Sequence, residues 1–375
     1  MLNVAFIKQR MRDLGLTGQD LARACDVTKQ AVSSWWNGAV PRPATVVQLA
    51  EALKAEIDQV LVPLDEPAPV VAYRMRNNRK PTPAAKEAGE EVARHLQQLV
   101  PLAGGETFFT HRRIPEHLLK QEYVAEAAAA ARSLLRLSPI ETVTHKHLFE
   151  LFERIGVVVI PVFWGGDKDG HENAMSVYLP DSGTTWVLFN MGCKLDDLSY
   201  WLGHELGHSV SLHVLQEDEG EKFAECFAQE LLFPKAVAQQ ALAQIREAER
   251  PMDVVTWFAG KYQVSVVAVV KAADRAAEEA GEEPTGLATR QFYAKWKSDG
   301  VRRPTAAMEL FGTNEPAPLE YILKSEELCG TPIFKALAQF QRLDGRRNPA
   351  FVSATLNVDV GAALALSQAL WERGA

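Results

Sequence analysis

The sequence predicts a multidomain, mostly helical chain with a five-helix N-terminal domain, a central α+β domain and a small C-terminal domain of uncertain class. Two observations bear on that expectation. Apolar residues recur at helical period in many segments of the 375 residues. A Pro-rich, acidic stretch at Pro63–Pro69 reads as a linker after the first 62 residues. The expected boundaries are 1–62, a linker and helical segment over 63–118, 119–282, and 283–375.

Val4, Ile7, Met11 and Leu14 repeat at helical period before Gly15 and predict a first helix. Thr17 and Thr28 are capping residues, each opening a short helix, with Asp26-Val27 as the turn between them and Gly38 as the stop of the second. Pro43–Leu53 and Glu56–Leu61 supply two more. Short helices in this order resemble a Cro- or phage-repressor-type (XRE) helix-turn-helix domain. The resemblance implies that Thr28, Lys29, Gln30, Ser33 and Ser34 face a DNA groove. Gln suits adenine edges, and Ser and Lys suit phosphates. Charge limits the expectation, because seven Lys and Arg against six Asp and Glu leave residues 1–62 a net charge of only +1. Phosphate contacts dominate affinity for DNA, so a monomer would bind weakly, and a helical module that binds protein is the competing reading.

Tyr73–Lys80 carries four cations in eight residues and is either a solvated linker or an extra phosphate contact. Lys86–Leu99 and Gln121–Leu135 are expected helices, the second favoured by its alanine content.

His204-Glu205-Leu206-Gly207-His208 is the stretch that carries chemistry. Residues four apart on a helix lie within about 40° of each other, so His204 and His208 can share one Zn²⁺. Glu205 beside them can take a proton from water at the metal without being a ligand. Leu195, Leu198, Trp201, Leu202, Leu206 and Val210 fall at helical spacing, and Asp196 and Asp197 suit a helix start, so both histidines belong to a helix interior. A hydrolytic zinc site needs a third protein ligand. Glu221 and Glu225 lie on one face of the next helix, which Pro234 stops; Glu221 is assigned as ligand and Glu225 as the carboxylate that orients an imidazole, with Glu225 the competing ligand. His213 has the wrong spacing for a third histidine, and Glu217, Asp218 and Glu219 read as a solvated loop. Cys193 lies eleven residues before His204 in a turn. A thiolate there could occupy the water position and hold the site off, whereas the ordinary reading is a half-buried loop cysteine.

The motif His204–His208, with Glu221-x-x-Ala224 and Phe227-Ala-x-Glu-Leu-Leu-x-Pro234, resembles the ImmA/IrrE family of zinc metallopeptidases. Ala131–Ile140, the step from Leu148–Gly156 into Val157–Ile160, and the strand Trp186–Asn190 resemble that domain upstream, so the likeness spans roughly 120–275. Position 225 is Glu where the family often has Asn, so its orienting role is inferred from this chain alone. The resemblance implies a zincin-like fold and a gluzincin-like zinc endopeptidase of stress or phage-defence signalling. Its substrate would be a transcriptional repressor, either a separate protein or the chain's own N-terminal module. Fusion to a helix-turn-helix and a basic segment suggests stimulation by double- or single-stranded DNA. A DNA-binding transcription regulator with an inactive peptidase domain is the alternative, and a sensor built on a structural metal is a third reading.

Composition excludes other classes. At 47% hydrophobic and 23% charged residues the chain has globular content, and a net charge of −8 excludes a general nucleic-acid coat. No apolar run reaches membrane-spanning length, the start is not a signal peptide, and the four cysteines show no zinc-finger or disulfide spacing. The expectation is a cytoplasmic protein without a membrane partner, with a homodimer left open.

Overall fold

The structure, a computed structural model of the chain, describes residues 2–36, 39, 41–61, 69–73, 83–104, 116–164, 174–300 and 303–373. The chain divides into two compact units, Met1–Ala68 and Pro69–Ala375.

The first unit contains α1 (Val4–Asp13), α2 (Gly18–Ala24), α3 (Lys29–Trp35), α4 (Pro43–Leu53) and α5 (Ile57–Val60). The expected caps are in place. Thr17 accepts from the Asp20 amide while Asp20 returns a bond to the Thr17 amide, and Thr28 accepts from the Ala31 amide at 3.1 Å. Asp26 takes the left-handed conformation, φ 50°, that turns α2 into α3, and Asp tolerates it better than most residues. Ile7, Leu21, Val32, Trp35, Leu49 and Val60 form the core, and the Asn3 amide bonds the Val60 carbonyl at 2.9 Å to tie the start of the unit to its end. Gly38, the expected stop of α3, and the segments 62–68 and 74–80 lie outside the described residues.

The second unit begins with β1 (Val70–Tyr73), α6 (Pro83–Leu99), α7 (Val124–Leu134) and α8 (His145–Arg154). β2 (Val157–Val162), β3 (Ala174–Leu179) and β4 (Thr184–Asn190) complete a four-stranded mixed sheet in the order β1-β3-β4-β2. β2 and β4 run parallel, whereas β3 pairs antiparallel with both β4 and β1. Thr144 caps α8, whose buried face is Leu148, Phe149, Leu151 and Phe152, and Gly156 at φ 73° turns the chain into β2.

After the sheet come α9 (Leu195–Ser211) and α10 (Glu217–Leu232). They are joined by a short turn and therefore pack as an antiparallel pair. The acidic run expected as a loop is instead the first turn of α10, where Glu217, Asp218 and Glu219 meet the positive end of the helix dipole. Arg132 of α7 is buried and donates to the carbonyls of Ser138, Glu141 and Leu231, the last near the end of α10.

α11 (Lys235–Glu247), α12 (Pro251–Tyr262), α13 (Val266–Glu279), α14 (Arg290–Gly300), α15 (Ala306–Phe311), α16 (Pro318–Cys329), α17 (Ile333–Leu343), α18 (Pro349–Leu356) and α19 (Val360–Arg373) complete the chain. The segment after 283 does not form a compact unit of its own: its described residues carry helices and share the core of the central part. The Tyr321 hydroxyl donates to the Pro161 carbonyl on β2, the Trp164 indole donates to the Leu356 carbonyl, and the Leu195 amide bonds the Pro304 carbonyl at 3.0 Å. Among the described residues no single helix is long and apolar enough to cross a membrane.

Candidate metal centre and nucleic-acid face

α9 and α10 bring His204, His208 and Glu221 together. The two imidazole Nε2 atoms are 3.1 Å apart, Glu221 Oε1 lies 3.1 Å from His208 Nε2, and Glu221 Oε2 lies 3.5 Å from His204 Nε2. Four ligands at about 2.0–2.1 Å around a tetrahedral zinc stand roughly 3.3 Å from one another. The observed separations have that size. The histidines are 0% and 2% exposed and the Glu221 side chain 32%, so of the three donors Glu221 is the one open to solvent. Burial pushes the Glu221 carboxyl up, but hydrogen bonds and charge from the two imidazoles outweigh it and hold the group well below the usual carboxylate range. Two imidazoles and a carboxylate suit zinc, and a three-donor set leaves one tetrahedral position open.

The close packing of the two helices has an identifiable cause. At Gly207 a Cβ would stand 2.8 Å from the Ala224 Cα, and at Gly203 it would stand 3.4 Å from the Ala228 Cβ. A hydrogen at position 207 lets α10 approach until Glu221, one turn before Ala224, reaches the histidines. The role of Gly207 was not foreseen, although a glycine inside a helical pattern signals such an approach.

Glu205 is 2% exposed, and the Ser176 hydroxyl of β3 donates to its Oε2 at 2.6 Å. That bond fixes one carboxylate oxygen of the expected general base. Ser176 is a second residue the sequence did not single out. Tyr200 stacks on His204 at 6.3 Å and Trp201 meets it edge-on at 6.0 Å, so half-buried aromatic rings wall the site.

The other candidates are not among the three converging donors. Glu225 is half-buried and is not one of them. Neither is His213, whose ring lies 6.1 Å from Tyr178. Cys193 is also outside the group, and burial, aided by the Asp197 charge, pushes its thiol up to about 12. Without a metal, that thiol is protonated at neutral pH.

In the N-terminal unit Val32 and Trp35 turn inward, leaving Thr28, Lys29, Gln30, Ser33 and Ser34 exposed. These are the five residues expected on the groove-facing side. The Ser34 hydroxyl donates to the Ala31 carbonyl at 2.7 Å. Lys29 and Gln30 carry the charge and the amide that could read phosphate and base. The basic residues Arg74, Arg76, Arg79 and Lys80 lie outside the described residues.

No curated protein and no solved structure matches the chain. Residues 7–60 match the family described as helix-turn-helix, so the N-terminal unit is a helix-turn-helix domain, the module that DNA-binding regulators use.

Proposed function

We propose that the second unit is a zinc-dependent endopeptidase and that the chain joins it to a DNA-binding module, so that proteolysis serves regulation. The observation that supports this reading best is the convergence of His204, His208 and Glu221 at tetrahedral spacing, one residue from a buried, serine-held Glu205. When bound there, zinc would polarise a scissile carbonyl and lower the pKa of water to near 7. Glu205 then takes a proton from the attacking water at its carboxylate and returns it to the leaving amine. Ser176 holds one oxygen of that carboxylate, and the half-buried rings of Tyr200 and Trp201 flank His204.

The motifs that resemble ImmA/IrrE peptidases are the support for a transcriptional repressor as substrate, and the helix-turn-helix domain supports DNA as a partner and stimulus. The decisive experiment incubates zinc-loaded protein, with and without DNA, with a helix-turn-helix repressor and with the chain's own N-terminal unit as substrates. Cleavage by the native chain and none by Glu205→Gln supports the proposal. Equal cleavage by both proteins refutes the mechanism. A native chain that binds DNA but cuts nothing leaves the DNA-binding regulator alone.

A further inference from the structure

The strand that reaches the general base is β3, and the chain covers its outer edge with its own β1. Ser176, whose hydroxyl holds Glu205, pairs with Ala72; Val70 pairs with Tyr178 and Val71 with Val177. Residues directly opposite in an antiparallel pair share a face, so Val70 and Ala72 lie on the face of Tyr178 and Ser176. Remove β1 and the sheet ends on β3, exposing a row of backbone donors and acceptors beside Glu205. Such an edge is where an extended peptide adds itself as a strand.

β1 has the character of a guest on that edge. It is four residues long, and Val70, Val71 and Ala72 are half-buried, whereas every residue of β2 and β4 is buried. It begins at Val70, two residues after the boundary at Ala68. One ladder, to β3, holds it to the sheet, and of its side chains Val71 packs on the core.

We infer that β1 is a self-inhibitory strand occupying the edge on which the peptide substrate binds. This rests on the peptidase reading and names its substrate class: an extended segment of small and β-branched apolar residues, with a small residue opposite Ser176. A tethered strand competes at an effective concentration on the order of millimolar, so a free peptide of the same sequence at micromolar concentration loses to it. Low basal activity follows from the fold itself, and activation is the exchange of β1 for the target segment.

The test uses the full chain loaded with zinc. Neighbouring residues on a strand turn their amides to opposite sides, so Val71→Pro with Ala72→Pro removes whichever amide bonds β3. In a Glu205→Gln background a fluorescein-labelled peptide spanning Pro69 to Arg74 should bind the proline variant at least tenfold more tightly than the parent. With Glu205 intact, that variant should hydrolyse fluorescein-labelled casein on the order of tenfold faster. Circular dichroism and zinc content check that the variant has folded. A second protein, Val70→Cys with Tyr178→Cys, places the thiols directly opposite, so oxidation should lock β1 down and stop hydrolysis, and dithiothreitol should restore it. Equal peptide binding by parent and proline variant, together with equal hydrolysis in the oxidised and reduced states, overturns the inference. If no protein hydrolyses casein, the peptide-binding comparison alone decides whether β1 covers a peptide-binding edge, and the peptidase reading stands or falls on the repressor cleavage described above.

Discussion

Gly207→Ala tests whether the α9–α10 contact builds the metal site. The added Cβ would stand 2.8 Å from the Ala224 Cα, 3.2 Å from its Cβ and 3.3 Å from its carbonyl oxygen. Ordinary carbon contacts lie at about 3.5–4.0 Å, so α10 must retreat by roughly 1 Å. Metal–ligand distances tolerate about 0.2 Å, and Glu221, one turn away on α10, can recover only part of the displacement by changing rotamer. Zinc affinity should fall on the order of 10–100-fold. Overpacking should lower the stability of the metal-free protein by about 1–3 kcal/mol, less about 1 kcal/mol returned by the better helix propensity of Ala. Competition with a chromophoric chelator reads the affinity, and thermal unfolding reads the stability. Two controls bracket the effect. Gly203→Ala meets Ala228 at 3.4 Å and needs only a few tenths of an ångström of relief, and Gly260→Ala meets nothing within 4 Å. If Gly207→Ala binds zinc like the native chain and unfolds no earlier than Gly203→Ala, helix approach does not set the site.

Four further outcomes are expected. Glu205→Gln keeps zinc and fold but loses on the order of a hundredfold or more in cleavage rate, read against the native enzyme. Lys29→Ala should weaken DNA binding across sequences and reduce the salt slope by about one phosphate contact, whereas an unchanged slope removes α3 from the interface. Burial raises the Asp197 carboxyl from 3.8 to about 6, so the folded state holds its proton more tightly than the unfolded chain and stability falls as pH rises through that window. Asp197→Asn should therefore stabilise the protein by about 1–2 kcal/mol at pH 8 and by little at pH 3, read by denaturant unfolding. Arg132→Met strips a charged donor from three carbonyls and should cost about 2–3 kcal/mol, measured by the same unfolding.

The α9 motif is legible because metal ligation demands fixed residue types one helical turn apart, and no packing argument is needed to read it. The helices of the first unit were legible for a similar local reason: Thr17, Asp20 and Thr28 act within three residues of themselves. β3 was not, because both of its faces are covered and Ala174–Leu179 shows no clean alternation. Ser176 meets Glu205 across 29 residues of sequence, which no local pattern reports. β1 is not legible because it is only four residues long and its last residue, Tyr73, also opens the basic run. The helices after 283 are short and interrupted by Gly and Pro, so they resembled a separate small domain. Contacts such as Tyr321 to Pro161, 160 residues apart, place them against the sheet.

Zinc K-edge absorption on the full chain, combined with elemental analysis of Glu221→Ala and Glu225→Ala, tests the metal centre most directly. The account expects one zinc per chain, two imidazole nitrogens and oxygen ligands at about 2.0–2.1 Å, with metal lost in Glu221→Ala and kept in Glu225→Ala. A sulfur ligand near 2.3 Å would put a cysteine on the metal and contradict the open site. Full zinc in Glu221→Ala, or none in the native chain, would contradict the centre itself.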